Sequence, residues 1–96
     1  MLIRIVRMTF REEATAAFLE IFRNAQDRIR AVDGCRHVEL LQDVQQPNVY
    51  STYSLWDSEA HLNRYRRSDL FGQAWPATKA LFAAKPQAWS MQQVQV

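Results

Sequence analysis

The first strand predicted in this sequence is apolar on both of its faces. The stretch LIRIVRMTF, residues 2–10, is rich in β-branched and apolar residues, as strands are. Because side chains alternate between the faces of a strand, Ile3 and Ile5 share one face. The other face carries Leu2, Val6, Met8 and Phe10. A sheet with helices on one side and solvent on the other would alternate apolar and polar residues. This strand therefore predicts a sheet that is covered on both sides.

A second copy of the chain is the simplest cover for the side that helices do not reach. We therefore expect a homodimer through the sheet face opposite the helices, built on Leu2, Val6, Met8 and Phe10. The second strand repeats the pattern: Val38 and Leu40 oppose Cys35 and Leu41. The alternative is a few scattered exposed apolar residues, which are normal on protein surfaces.

Residues 11–32 predict an amphipathic helix. The apolar residues that recur at helical spacing are Ala14, Phe18, Ile21, Phe22, Ala25, Ile29 and Val32. Gly34 ends the helix just past the last of them. Two more strands are predicted at residues 35–43 and 49–56, with a turn at Pro47 and Asn48 between them.

The second helical region is predicted to be broken. Asp57 or Ser58 can cap a short helix, and Ser68 can cap the next one. A proline inside a helix removes a hydrogen bond, and glycine weakens a helix. Gly72 and Pro76 therefore predict a kink or break near residues 72–76, with Pro76 starting the second half. A last strand is expected from residue 87 onwards.

The resulting order is β-α-β-β-α-β. This order is typical of an α+β protein with a ferredoxin-like antiparallel sheet and helices on one face. A chain of 96 residues is long enough for one core, so residues 1–96 are predicted to form a single domain.

The charge balance gives no support to nucleic-acid binding. The chain has 12 basic and 10 acidic residues and a net charge of +2, which is a small excess. Its one cysteine and two histidines lack the paired spacing of a metal site. No stretch has the layout of a signal peptide or the length of a membrane span, so we expect a cytoplasmic protein without membrane contact.

The stretch LWDSEAHLNRYRRSDLFGQAW, residues 55–75, resembles the pattern W-x-S-x(6)-Y-x-x-S-x-x-F of the antibiotic biosynthesis monooxygenase family. The pattern is carried here by Trp56, Ser58, Tyr65, Ser68 and Phe71. The segment DGCRHVELLQDVQQPN resembles the Gly-Cys segment and second strand of that family. The resemblance implies a dimeric α+β barrel, in which two antiparallel sheets meet face to face and each monomer keeps a pocket between its sheet and helices.

The resemblance also implies an activity, a cofactor-independent monooxygenase acting on a small aromatic or quinol-like substrate. The substrate anion would donate an electron directly to oxygen, so the protein needs an apolar slot, a base and a group that holds the anion. The haem-degrading branch of the family is disfavoured, because Tyr65, Trp75 and a position near Arg7 stand where that branch has Trp, His and Asn. We expect no metal, haem or flavin.

The candidate substrate-binding residues are Tyr65, Phe71 and Trp75. The family position of Tyr65 and Trp75 predicts that they form one wall of a pocket and face each other across a slot, separated by the helix break. Aromatic walls with few polar groups are typical of small-molecule sites. The alternative is that these rings simply pack on the sheet.

The candidate catalytic residues are Arg7, His37 and Tyr65. If Arg7 faces the helices, it lies on the pocket floor and calls for a partner or an anionic ligand. Alternatively it reaches solvent or pairs with Glu39. His37 and Glu39 share a strand face and could act as a base with its orienting carboxylate, or form an ordinary surface pair. Because this acid–base set is weak, a non-catalytic dimeric module that binds a small ligand or stabilises a partner is the second predicted function.

Overall fold

Strands and helices follow one another in the predicted order, in a computed structural model that describes residues 1–96. The strands are β1 (Leu2–Thr9), β2 (Cys35–Gln42), β3 (Val49–Trp56) and β4 (Gln87–Gln92). The helices are α1 (Thr15–Arg30), α2 (Glu59–Arg66) and α3 (Asp69–Lys79), and a short 3₁₀ turn at Glu12–Ala14 leads into α1. None of the helices is long and apolar enough to cross a membrane.

The four strands form one antiparallel sheet in the order β2-β3-β1-β4. Strand β1 is central, with Leu2 opposite Trp56 of β3 and opposite Gln92 of β4. Helix α1 packs against β2 and against α3. This arrangement confirms the α+β, ferredoxin-like fold class, and it leaves a space between the helices and the sheet.

The two faces of β1 are exchanged relative to the sequence prediction. Met8 and Phe10 are almost fully buried on the helix side, with 2% and 0% of their surface exposed. The ring of Phe10 stacks on Phe18 of α1, with the ring centroids 4.1 Å apart. The expectation that Leu2, Val6, Met8 and Phe10 face away from the helices is therefore wrong. Since β1 is apolar on both faces, its alternation could not indicate which face the helices would take.

The side of the sheet that faces away from the helices is here called the outer face. By register it carries Ile3, Ile5 and Arg7 of β1, His37, Glu39 and Leu41 of β2, Ser51, Tyr53 and Leu55 of β3, and Gln87, Trp89 and Met91 of β4. Leu41, Trp89 and Met91 are 46%, 42% and 46% exposed. Large apolar side chains thus lie in neighbouring rows on a sheet face that no helix covers.

A bulge at the start of β2 also changes a predicted face. Cys35 lies opposite Trp56 and His37 lies opposite Leu55, so Arg36 is an extra residue in β2. The bulge brings Cys35 to the helix side, where it packs against the core. The prediction that Cys35 opposes Val38 is wrong for this reason.

Serine caps set the start of the second and third helices. The side chain of Ser58 accepts a hydrogen bond from the backbone N–H of His61, and that of Ser68 accepts one from Phe71. The cap at Ser68 was expected from the sequence, and of the two candidates for the first cap, Asp57 and Ser58, the structure uses Ser58. The break lies between α2 and α3 at Ser68, and α3 continues through Pro76. The predicted break at residues 72–76 is therefore wrong.

Candidate ligand cavity

A cavity of about 280 Å³ lies between the helix side of the sheet and the three helices. Of its 20 lining residues, 14 are hydrophobic, so its walls suit an apolar molecule oriented by a few polar groups. Side chains of β1, β2 and β3 form its floor, and α1 closes one side. The side formed by α2 and α3 carries Tyr65, Phe71 and Trp75, and α1 contributes Phe18 and Phe22.

Three aromatic residues form one continuous wall of this cavity, here called the aromatic wall: Tyr65, Phe71 and Trp75. Phe71 meets Tyr65 edge-on at a centroid distance of 5.3 Å and stacks on Trp75 at 5.7 Å. Behind the wall, the buried ring of Trp56 stacks on Tyr65 at 5.1 Å. Offset and edge-on arrangements of this kind are the favoured geometries of aromatic pairs.

Ser68 holds the two helices that carry the wall. Its hydroxyl donates a hydrogen bond of 2.6 Å to the carbonyl of Tyr65, the residue near the end of α2. The same oxygen accepts from the N–H of Phe71 in the first turn of α3. Phe71 and Trp75 are one helical turn apart and therefore share a face of α3. The bend at Ser68 thus places Tyr65 beside Phe71 rather than along one helix with it.

The polar side chains that line the cavity are Arg4, Thr52, Ser54, Tyr65, Arg66 and Thr78. Ser54 and Thr78 already bond within the protein, because Ser54 accepts from Trp56 Nε1 at 2.9 Å and Thr78 donates to the carbonyl of Ala74 at 2.8 Å. Arg4 donates one hydrogen bond from Nη1 to Ser90 Oγ, at 2.9 Å. A guanidinium has five N–H donors, so Arg4 keeps further donors for a ligand.

Burial and, to a smaller extent, the thiol of Cys35 raise the pKa of Tyr65 to about 12. At neutral pH the phenol is therefore protonated, and it can donate a hydrogen bond but cannot accept a proton as a base. Among the residues that line the cavity there is no carboxylate, histidine, thiol or lysine. No side chain in the cavity can thus exchange a proton readily near pH 7.

Tyr65, Phe71 and Trp75 lie together in the cavity, as the sequence predicted for one wall. Tyr65 and Trp75 do not face each other across a slot, because Phe71 lies between them in the same wall. The difference follows from the position of the helix break at Ser68. Trp75 also meets Phe82 edge-on at 5.7 Å, so the far end of the wall is anchored in the core.

Arg7 and His37 do not lie in the cavity. Both belong to the outer face, Arg7 opposite Ser51 and His37 opposite Leu55. The expectation that Arg7 forms the cavity floor is wrong, since the odd-numbered residues of β1 point away from the helices. His37 does meet Glu39, with Nε2 and Oε2 3.1 Å apart, and both side chains are partly exposed. The pair exists, but it is separated from the cavity by the sheet.

Arg4 and Arg66 are the cavity residues that sequence reasoning missed. Arg4 shares the face of Val6 and Met8, so it would have been found if that face had been assigned to the helices. Arg66 ends α2 one residue after Tyr65, where a cation is also explained by the helix dipole. No group of three or more His, Cys, Asp or Glu side chains is placed to hold a metal ion.

Comparison with solved structures identifies close relatives in fold. The crystal structure of an antibiotic biosynthesis monooxygenase has a TM-score of 0.93 and 21% identity, covering 99% of this chain and 100% of that one. A conserved protein from Methanosarcina mazei Go1 has a TM-score of 0.92 and 18% identity, covering 98% and 94%. Rv0793 from Mycobacterium tuberculosis has a TM-score of 0.91 and 18% identity, covering 99% and 96%.

At these identities the structural likeness establishes the fold. Among curated proteins, none matches this sequence. The family model of antibiotic biosynthesis monooxygenases matches residues 1–76, which is well over half of the chain. The chain therefore belongs to the antibiotic biosynthesis monooxygenase family, as its sequence pattern indicated.

Proposed function

We propose that this member of the family is a cofactor-independent monooxygenase that oxidises a small aromatic or quinol-like substrate in the cavity. Tyr65, Phe71 and Trp75 would hold the substrate ring. The observation that carries the proposal is the aromatic wall itself, three rings in contact along one side of an apolar cavity. Benzene fills a cavity of about 150 Å³, so a cavity of about 280 Å³ has room for an aromatic compound larger than benzene.

The reaction that suits such a site needs little covalent chemistry from the protein. An anthrone-like substrate loses a proton from its CH₂ group to water before it enters the cavity, because the cavity offers no base, and the anion gives one electron to O₂. The substrate radical and superoxide then combine and take up a proton, forming a C–O bond and a hydroperoxide. Loss of water leaves a carbonyl, so one oxygen atom stays on the substrate and the other leaves as water. The role of the protonated Tyr65 would be to donate a hydrogen bond to the oxyanion of the substrate.

Oxygen uptake with a panel of quinols and anthrones, in the presence of a metal chelator, tests this activity. We expect substrate-dependent uptake that the chelator leaves unchanged, with about one O₂ consumed per carbonyl formed. Enzyme-independent autoxidation is measured in parallel and subtracted. Uptake that never exceeds autoxidation, or that the chelator abolishes, would contradict the proposal.

The second candidate function is a non-catalytic module that binds a small aromatic ligand. It is favoured by one observation, the lack of any cavity side chain that can act as a base near pH 7. Tight ligand binding without oxygen uptake across the whole panel would support it. Both functions use the same cavity, so binding alone does not separate them.

We further propose a homodimer in which the outer faces of two sheets pack together. Support comes from the rows of apolar side chains on the outer face, with Ile3 between Leu55 and Met91 and Ile5 next to both Tyr53 and Trp89. Monomeric proteins rarely expose apolar patches of this kind. A second copy is the occupant we favour because family membership implies sheets paired face to face. The cavity lies on the other side of the sheet and stays open to ligand in such a dimer.

A further inference from the structure

The cavity brings together two arginines that no carboxylate neutralises. Arg4 lies on the sheet in β1, and Arg66 is the last residue of α2, yet both line the same space. The ion pairs of the chain use other cations, and none of them includes Arg4 or Arg66. Two positive charges therefore line the same, largely apolar cavity.

This arrangement is unfavourable for the protein without a ligand. Burial, and repulsion from Arg66, lower the pKa of the Arg4 guanidinium below its ordinary value. A partly buried charge normally has a partner of opposite sign. Ser90 supplies Arg4 with a hydrogen-bond acceptor but no negative charge. The dipole of α2 compensates Arg66 in part, because cations are favoured at the C-terminal end of a helix.

The two arginines also lie where a ligand can reach them. Arg4 lies opposite Ser90 of the edge strand β4, which is exposed, and Ala88 of the same strand also lines the cavity. Arg66 is itself exposed at the rim. An aromatic molecule lying along the aromatic wall could thus direct one polar group toward the two arginines while its rings stay in apolar surroundings.

We propose that Arg4 and Arg66 form an anion subsite, and that the ligand of this cavity is an aromatic compound that carries an anionic oxygen. This inference deepens the proposed function and rests on it in taking the cavity as the ligand site. A guanidinium matches a carboxylate or phenolate oxygen with short, charge-assisted hydrogen bonds. The subsite also accounts for the lack of a base: the ligand enters already ionised, and the arginines hold the anion.

A matched pair of probes tests the subsite without any turnover. We would measure the affinity of 2-naphthoate and of 2-naphthamide by isothermal titration calorimetry at neutral pH. The two compounds share their rings and differ in charge. We expect 2-naphthoate to bind at least about tenfold more tightly, as a charge-assisted hydrogen bond allows. Equal affinity of the two probes would overturn the proposal.

Three arginine variants locate the effect. Arg4→Gln and Arg66→Gln should each weaken 2-naphthoate binding by about tenfold and leave 2-naphthamide binding unchanged, which also shows that the variants are folded. Arg67→Gln is the matched control, because Arg67 follows Arg66 but does not line the cavity. If Arg67→Gln weakens 2-naphthoate binding as much as Arg66→Gln, a general positive field and not a subsite is responsible. If Arg4→Gln does not fold, 2-naphthoate binding by Arg66→Gln alone tests the subsite, because Arg66 is exposed and its replacement should not disturb folding.

The phenol 4-nitrophenol distinguishes the two sources of an anionic oxygen. If the subsite holds a phenolate, the affinity should rise as the pH passes through the pKa of the phenol, and Arg66→Gln should flatten that rise. Binding of 2-naphthoate alone assigns the subsite to carboxylates, and failure of both anions removes it. Charge-selective binding without oxygen uptake would overturn the monooxygenase and keep the subsite. Oxygen uptake without charge-selective binding would support the monooxygenase and overturn the subsite.

Discussion

Phe71 lies almost parallel to Trp75, with the ring centroids 5.7 Å apart and an interplanar angle of 15°. The two residues are one turn apart on α3, so their stacked rings share one face of that helix and both line the cavity. Trp75 is in addition packed against the core through Phe82. This single stacked pair links the stability of the core to the shape of the ligand site.

Replacing Trp75 by alanine should separate these two roles. We expect Trp75→Ala to lower ligand affinity or turnover by at least about tenfold, because an aromatic pair contributes about 1 kcal/mol beyond its buried area. The cost in unfolding free energy should be about 2–3 kcal/mol, less than for a fully buried tryptophan, since one side of the ring borders the cavity. Urea unfolding and ligand titration measure the two effects.

The control for this prediction is Trp75→Phe, which keeps an aromatic ring in the wall and should retain most of the affinity. If Trp75→Ala binds ligand and turns over substrate as well as the unsubstituted protein does, the aromatic wall belongs to the hydrophobic core and does not form a ligand site.

Placing a charge on the outer face should prevent dimer formation. Ile5 is central in that face, between Tyr53 and Trp89. An obligate interface buries about 2,000 Å² or more in total, and an unpaired carboxylate at its centre would cost several kcal/mol. We therefore expect a stable dimer for the original chain and a monomer for Ile5→Glu in sedimentation experiments at micromolar concentration.

Asn24→Glu adds the same charge on the exposed side of α1 and should leave the dimer intact. A sedimentation coefficient of a monomer for the original chain would contradict the dimer itself.

The order of elements and the helix caps were readable from the sequence because they depend on local signals. Ser58 and Ser68 act on their own neighbours in the chain, and the structure places both at the helix starts predicted from the sequence. Helix α1, in contrast, ends at Arg30 with Ala31 as its C-cap, so the prediction that Gly34 ends it just past Val32 is wrong. The aromatic wall followed from the family pattern. These predictions required no knowledge of how distant segments pack.

The faces of the sheet required that knowledge, and here sequence reasoning failed. Strand β1 offers apolar side chains to either side, so only packing against α1 decides that Met8 points in and Arg7 points out. Because the helix side of β1 was assigned wrongly, Arg4 was not recognised as a cavity residue. In β2, the bulge at Arg36 reverses the face of Cys35, and no residue type in that stretch signals a bulge.

The prediction of a helix break near Pro76 failed for a different reason. A proline in a helix has no N–H and therefore removes the hydrogen bond to the carbonyl four residues earlier, which here belongs to Gly72. Gly72 and Pro76 are both exposed, so water can donate a hydrogen bond to the carbonyl of Gly72, and α3 continues through Pro76. A break would have been needed only if that side of the helix had been buried.

Stability should decline at high pH because of Tyr65. Its pKa is raised to about 12 in the folded chain from an ordinary value of 10.0. Between these two values the unfolded chain has lost the proton and the folded chain still holds it. The unfolding free energy is therefore complete below pH 10 and falls as the pH rises toward 12, by up to about 2 kcal/mol.

Comparing the original chain with Tyr65→Phe isolates this contribution, because phenylalanine keeps the ring and removes the ionisable group. Urea midpoints measured at pH 8 and pH 11 should fall more for the original chain than for the variant. Equal losses would mean that Tyr65 titrates normally, and the assignment of a protonated donor to the cavity would then fail.

Gly34 should tolerate no side chain, for two separate reasons. Its φ of 84° lies in the left-handed region, which residues with a Cβ adopt at a cost of about 1 kcal/mol or more. A Cβ there would also collide with the side chain of His61 on α2. That ring is held in place, since its Nδ1 lies 2.7 Å from Ser58 Oγ. Gly34→Ala should therefore lower the unfolding free energy by more than about 2 kcal/mol, beyond the backbone cost alone.

A double-mutant cycle tells the two causes apart. In a His61→Ala background the ring is gone, so Gly34→Ala should cost clearly less than in the original chain, although the backbone cost and the contact with the remaining Cβ persist. The coupling should be on the order of 1 kcal/mol in urea unfolding. If Gly34→Ala costs the same in both backgrounds, the backbone conformation alone requires glycine. The contact with His61 would then have no part in fixing the junction that carries α2, and with it Tyr65, over the sheet.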